Sequence, residues 1–144
     1  VGASGTVYAA MVPGGTLGGV FRSTNQGATW TAMDVPPVHP GGQGFPNTSL
    51  VAHPTNANLV FVAGDRITSA PFTGIMDAGG NNTTPHADSR DMAFDANGNL
   101  LQSDDGGIYR RLTPTAAGAW VSVNGNMNAM EVHDLDHDRV SNVI

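Results

Sequence analysis

The chain has 144 residues, 40 % of them hydrophobic, and a net charge of −6; that is enough chain for one domain with a real core, and too acidic a balance for a nucleic-acid binder, which needs a basic stripe against the phosphates. The absence of Cys excludes disulfides and thiolate metal sites, and the longest apolar runs, such as Leu59–Ala63, are far too short to span a bilayer. All six basic residues are Arg, eleven of the twelve acids are Asp, and 19 Gly and 9 Pro accompany them, an alphabet that suits turn-rich β structure and not helix.

In chain order, Thr6–Met11, Gly19–Ser23 and Thr29–Met33 read as short strands, followed by the Pro/Gly-rich connection Pro36–Pro46. A hairpin begins near Ser49. Leu59–Ala63 and Ile67–Ser69 continue that unit, and Asp77–Thr84 is a loose Gly/Asn loop. Next, Asp91–Phe94 is followed by Asp95-Ala-Asn-Gly98, a turn whose Asn and Gly tolerate positive φ. Leu100–Ser103 returns, Asp104-Asp-Gly-Gly107 turns again, Ile108–Leu112 runs out, and Ala119–Val123 closes the unit.

These units repeat. Ser49-Leu-Val-Ala-His-Pro-Thr-Asn-Ala-Asn-Leu-Val60 aligns without a gap on Arg90-Asp-Met-Ala-Phe-Asp-Ala-Asn-Gly-Asn-Leu-Leu101, 41 residues on. His133-Asp-Leu-Asp-His-Asp-Arg-Val-Ser-Asn-Val-Ile144 follows 43 residues later, with Leu135 in the place of Val51 and Met92. Gly18-Gly-Val-Phe-Arg22 matches Gly106-Gly-Ile-Tyr-Arg110 at a spacing of 88, and Trp30 matches Trp120 at 90. A period in the low forties is that of one four-stranded propeller blade.

The expectation is an all-β chain: a β-propeller segment of about three four-stranded antiparallel blades forming an incomplete ring. Residues 1–48 make a partial first blade, 49–89 the second, 90–132 the third, and 133–144 the first strand of a following blade. Val1–Tyr8 corresponds to the second half of the hairpin that begins near Ser49, so both ends fall within a repeat. With neither an initiator Met nor a leader segment at Val1, the expectation is a mature chain or a piece of a longer one. Three blades are too few for a ring of about four to eight, so remaining blades of a parent chain, or self-association, are expected partners. The parent chain is favoured, because free sheet edges invite aggregation.

Ser23-Thr-Asn-Gln-Gly-Ala-Thr-Trp30 resembles an Asp-box, the bacterial neuraminidase repeat Ser-x-Asp-x-Gly-x-Thr-Trp, with Asn25 where Asp is usual. In that motif Ser23, Asn25, Gly27, Thr29 and Trp30 are structural: the Asx side chain accepts backbone hydrogen bonds, Gly supplies an unusual φ, and Trp packs between sheets. His86-Ala-Asp-Ser-Arg90 and Ser103-Asp-Asp-Gly-Gly-Ile-Tyr-Arg110 are similar to blades of the sortilin ectodomain and of xyloglucan-active glycoside hydrolases. The resemblance implies a sialidase-like propeller that is secreted or at the cell surface, the periplasm included. Its members cleave glycans, bind peptides or serve as scaffolds, so fold alone supplies a class of function.

Candidate ligand-binding residues come from the blade entrances. Asp88, Arg90 and Asp91 correspond to Glu131, His133 and Asp134, while His86 stands opposite Ala129. Residues 86, 88 and 90 alternate, as do Glu131 and His133, so each set is expected on one face of an innermost strand. His86, Asp88, Arg90, Glu131 and His133 would then line a polar pocket for sugar hydroxyls or an anion, although acids and Arg at strand ends also cap loops. Asp104 takes the place of a catalytic carboxylate in the resemblance to xyloglucan-active enzymes, with Tyr109 and Arg110 matching and Asp105 replacing an apolar residue. A turn role for Asp104 is favoured, since a tight turn also wants Asp-Gly-Gly. Glycoside hydrolysis needs two carboxylates about 5–5.5 Å or 6.5–9.5 Å apart. Asp104 or Asp88 could supply one, and blades outside the chain the other.

The set of an Arg cluster and a Tyr–acid pair that sialidase chemistry needs is not visible. Asp134-Leu-Asp-His-Asp138 has the alternating acids of a calcium loop, but Arg139 stands where Gly is required. His133 and His137 sit in a strand-and-turn block and not on a zinc-binding helix. No metal, cofactor, nucleic acid or membrane insertion is therefore expected. The favoured function is binding of glycan or protein through the axial face. The alternative is part of a glycoside hydrolase acting on a polysaccharide, its catalytic pair completed elsewhere.

Overall fold

The structure is a computed structural model that describes residues 2–35, 42–64, 67–70, 83, 85–116 and 118–129. All of its sheets are antiparallel, and in each the strands pair in chain order. The first comprises β1 (Val7–Met11), β2 (Gly19–Ser23) and β3 (Thr31–Met33), and the second β4 (Ser49–Ala52), β5 (Val60–Ala63) and β6 (Ile67–Ala70). The third has four strands: β7 (Asp91–Phe94), β8 (Leu100–Asp104), β9 (Gly107–Arg111) and β10 (Trp120–Ser122). Short 3-10 turns at Ala3–Gly5 and Pro13–Gly15 flank β1.

Tight turns dictate the meander. Asp95 Oδ1 accepts the N–H groups of Asn97 and Asn99, each at 2.9 Å, while Gly98 at φ 79 completes the reversal between β7 and β8. After β2, Asn25 Oδ1 accepts the N–H of Thr29 at 2.9 Å, and Asn25 Nδ2 donates to Thr29 Oγ1 at 2.8 Å. Ser23 Oγ accepts the Gly27 N–H at 2.9 Å, with Gly27 at φ 92. This turn holds Thr29 and Trp30 outside the ladder, so β3 begins at Thr31, two residues later than the sequence suggested.

Pairing registers follow the sequence repeat. Val51 stands opposite Phe61 and, 41 residues on, Met92 stands opposite Gln102. Val20 stands opposite Met33, and the residues 88 and 90 further on are joined by the Val123 N–H donating to Ile108 O at 2.9 Å.

The sheets stack face to face. Val60 and Val62 of β5 pack with Leu17 and Val20 from the first sheet, with Tyr8, Ala10 and Met33 around them. The alternate residues Phe61 and Ala63 pack with Met92, Leu100 and Trp120 of the third sheet. β5 is therefore apolar at four consecutive positions, all fully buried, because the second sheet is covered on both faces and successive side chains point to opposite ones. First strands are neighbours, with β4 lying against β7 and β1 against β4.

One packing expectation fails. Trp30 is 45 % exposed, whereas Trp120 is 3 % exposed and has the Arg111 guanidinium 5.7 Å from its ring centre. The two tryptophans hold corresponding positions, but Trp120 looks into the second sheet. Trp30 looks out from the face of the first sheet that no described element covers.

Candidate functional site

At the edge where β4 and β7 begin, three segments converge: the run into β4, the run into β7, and the β8–β9 turn. Arg90 ties them together. Its Nε and Nη2 both donate to Asp105 Oδ1, at 2.9 and 2.8 Å, and its Nη1 donates to Asn47 Oδ1 at 2.8 Å and Pro46 O at 3.2 Å. Asn47 Nδ2 in turn donates to Asp88 Oδ1 at 2.8 Å. Behind this row, Ser49 and Ser89 share a buried hydroxyl–hydroxyl hydrogen bond of 2.6 Å. The result is a chain of carboxylate, amide, guanidinium and carboxylate across two sheets. Arg90 and Asp105 remain in contact with solvent, at 46 % and 14 % side-chain exposure.

The backbone that delivers these groups is not the strand the alternation suggested. β7 starts only at Asp91, residues 87 and 88 form a bend, and Asp88 lies at φ 68. His86, Asp88 and Arg90 consequently do not share a strand face. The left-handed turn at Asp88 sends its carboxylate to Asn47, while Arg90 reaches across to the β8–β9 turn. Glu131 and His133 lie outside the described residues.

Asp104 closes β8 and is buried, at 8 % exposure. Its Oδ1 accepts the Gly106 N–H at 2.9 Å, and its Oδ2 accepts from Gln102 Nε2 at 3.2 Å. Burial pushes its carboxyl up to about 6; the Gly106 and Gly107 N–H groups and His86 oppose the shift, and Asp105 adds to it. Tyr109 is raised as well, by burial first and by the Asp104 charge second. Gln102 Oε1 finds no hydrogen-bond partner among the described residues. His86 is packed against the turn: a Cβ placed on Gly106 would lie 2.6 Å from the His86 Cβ. Asn124 fastens the same turn, accepting the Ile108 N–H at 2.7 Å and donating to Gly106 O at 3.0 Å.

Asp104 thus holds the turn, and both of its oxygens are engaged within the fold. The structure also sets it near His86, which the sequence treated separately. Asn47, the bridge between Asp88 and Arg90, went unnoticed because it lies between the Pro36–Pro46 connection and the aligned block that starts at Ser49. Asp105 was noted only as a departure from a motif, and in the fold it is the partner of Arg90.

A cavity of about 230 Å³ lies elsewhere, lined by Arg22, Thr31, Ala32, Met33, Asp34 and Asn58, and it shares no residue with this edge. Arg22 is hydrogen-bonded to Asn58 across it. Among the described residues no three His, Asp or Glu side chains converge in a way that could hold a metal ion. No family model, no curated protein and no solved structure matches the chain, so the chemistry of this edge rests on its own side chains.

Proposed function

We propose that the chain is a segment of an Asp-box type β-propeller, secreted or at the cell surface, that binds glycan through the edge at which β4 and β7 begin. Support for the architecture comes from three successive meanders stacked face to face, with β4 against β7 and registers recurring at the sequence period. The observation that carries the function is the Asp88–Asn47–Arg90–Asp105 chain. Carboxylate oxygens there accept from sugar hydroxyls, and the half-exposed Arg90 guanidinium donates to hydroxyl and ring oxygens, while the buried Asn47 amide holds the row in place. Because each side chain is held by the next, little rotamer freedom remains to be lost on binding.

Calorimetric titration with soluble xyloglucan, mixed-linkage glucan and a sialylated oligosaccharide tests the proposal. Binding of at least one, weakened about tenfold or more by Arg90→Ala, is the expected result, since a charge-assisted hydrogen bond contributes about 1.5–3 kcal/mol. Binding of none of the three, or equal binding by the variant, would overturn it.

A hydrolase is the second reading. It is favoured by one observation, the buried Asp104 carboxyl at about 6, a value suited to proton transfer near neutral pH. Polysaccharide cleavage that persists undiminished in Asp104→Asn and Asp88→Asn would remove both residues from that role.

A further inference from the structure

We infer that Phe45 is the platform on which a neutral sugar ring stacks beside the Asp88–Asn47–Arg90–Asp105 row. The inference rests on the glycan reading of that edge, and it names the residue that selects the sugar and the class selected. Phe45 is 75 % exposed, more than any other large hydrophobic side chain among the described residues. A ring left in water forgoes the transfer free energy that burial would return.

The turn that carries the ring is held on both sides. Gly44 N–H donates to Gly15 O at 2.7 Å, and Thr48 Oγ1 donates to Gly44 O at 2.6 Å. A Cβ on Gly15 would run into Gly42 O, so the β1–β2 connection lies directly against this segment. From the other side, Arg90 Nη1 donates to Pro46 O and Asn47 Oδ1. Gly44 and Asn47 are buried within this clamp, while Phe45 and Pro46 are exposed. Chain geometry then keeps the ring beside the polar row. Consecutive Cα atoms are about 3.8 Å apart, so the Cα atoms of Phe45 and Asn47 lie within about 7.6 Å of each other. One or two linked pyranose units cover that span.

The ring and the row match the two kinds of surface a sugar presents. Hydroxyls around the rim of a pyranose meet the carboxylates of Asp88 and Asp105 and the half-exposed Arg90 guanidinium. Each of those hydrogen bonds replaces one to water, so its net contribution is modest. The faces of the pyranose carry C–H bonds, which the ring oxygens polarise positively. Against an aromatic face, which is negative, they gain electrostatic attraction and leave water together with the phenyl ring. Charge sets the class of sugar. The row holds two carboxylates and one guanidinium, Arg90 is already 2.8 Å from Asp105, and exposed Asp91 follows. An anionic sugar would meet three acids around one engaged cation, whereas a neutral sugar finds acceptors for its hydroxyls. Equatorial hydroxyls leave a pyranose face clear of oxygen, so a neutral glucan satisfies both the ring and the row.

Calorimetric titration of the whole chain tests the inference, with xyloglucan and mixed-linkage glucan as neutral probes and sialyllactose as the anionic one. The wild type should bind at least one glucan more tightly than sialyllactose. Phe45→Ala should weaken glucan binding about fivefold or more, and Phe45→Tyr, which keeps the ring, should hold it within about twofold. Phe45→Trp should add fluorescence that shifts to the blue as glucan is titrated, a shift absent from the wild type. The side chain is so exposed that all three variants should unfold at the wild-type midpoint, which separates lost affinity from lost fold. Undiminished glucan binding by Phe45→Ala, with binding still lost in Arg90→Ala, would overturn the inference and leave the glycan reading standing. Tighter binding of sialyllactose than of either glucan would overturn the charge argument. Binding of none of the three probes would remove the reading and the inference together. Self-association abolished by Phe45→Ala, with glucan binding untouched, would assign the ring to a contact between copies and overturn the inference.

Discussion

Replacing Asp104 by Asn should stabilise the protein at neutral pH, although Asp104 is a buried group whose two oxygens are both hydrogen-bonded. A carboxyl that ionises near 6 instead of its ordinary 3.8 is disfavoured as the anion by about 3 kcal/mol, and water at the sheet edge reduces this to about 1–2 kcal/mol. Between those two pH values the folded chain holds a proton that the unfolded chain has released, so stability falls as pH rises. The contribution of the neutral acid is complete below 3.8 and lost above about 6.

Asn keeps the acceptor for the Gly106 N–H. Its new amide can donate to Gln102 Oε1, which lacks a partner among the described residues, once the Gln102 side chain adjusts. Urea unfolding of both proteins, followed by tryptophan fluorescence from pH 4 to 8, reports Asp104 together with the groups that feel its charge, because titrating groups remote from it cancel in the difference. The variant should match the wild type near pH 4 and exceed it by about 1–2 kcal/mol near pH 7.5. Parallel curves across the whole range, or a wild-type advantage that grows with pH, would refute the reasoning.

Two further outcomes probe the fold. Phe61→Ala should cost about 3–5 kcal/mol because its ring is fully enclosed beside Ala63, Met92, Leu100 and Trp120. Trp30→Ala, at a side chain 45 % exposed, should cost under about 1 kcal/mol, and chemical-denaturation midpoints would separate the two. Asn25→Ala should cost about 1–2 kcal/mol, since it removes the acceptor for the Thr29 N–H and the donor to Thr29 Oγ1. Asn25→Asp keeps the acceptor and should retain most of the stability; equal losses in the two variants would show that the Asx turn does not depend on that oxygen.

The repeat, the antiparallel meanders, the turn at Asp95 and the hydrogen-bonded turn around Asn25 were all legible in the chain itself. Each depends on residues close in sequence: an Asx side chain reaching its own backbone, a Gly at positive φ, or an apolar run of strand length. The registers recur in the structure because a repeated sequence repeats its pairings. What only the tertiary structure decided are matters of distance between segments far apart in sequence. Strand alternation placed His86, Asp88 and Arg90 on one face, yet the backbone bends at Asp88, whose carboxylate meets Asn47, 41 residues earlier. Trp30 and Trp120 occupy the same place in the repeat, but one is buried and the other exposed. Burial depends on whether a neighbouring sheet is present, and nothing local to a tryptophan encodes that.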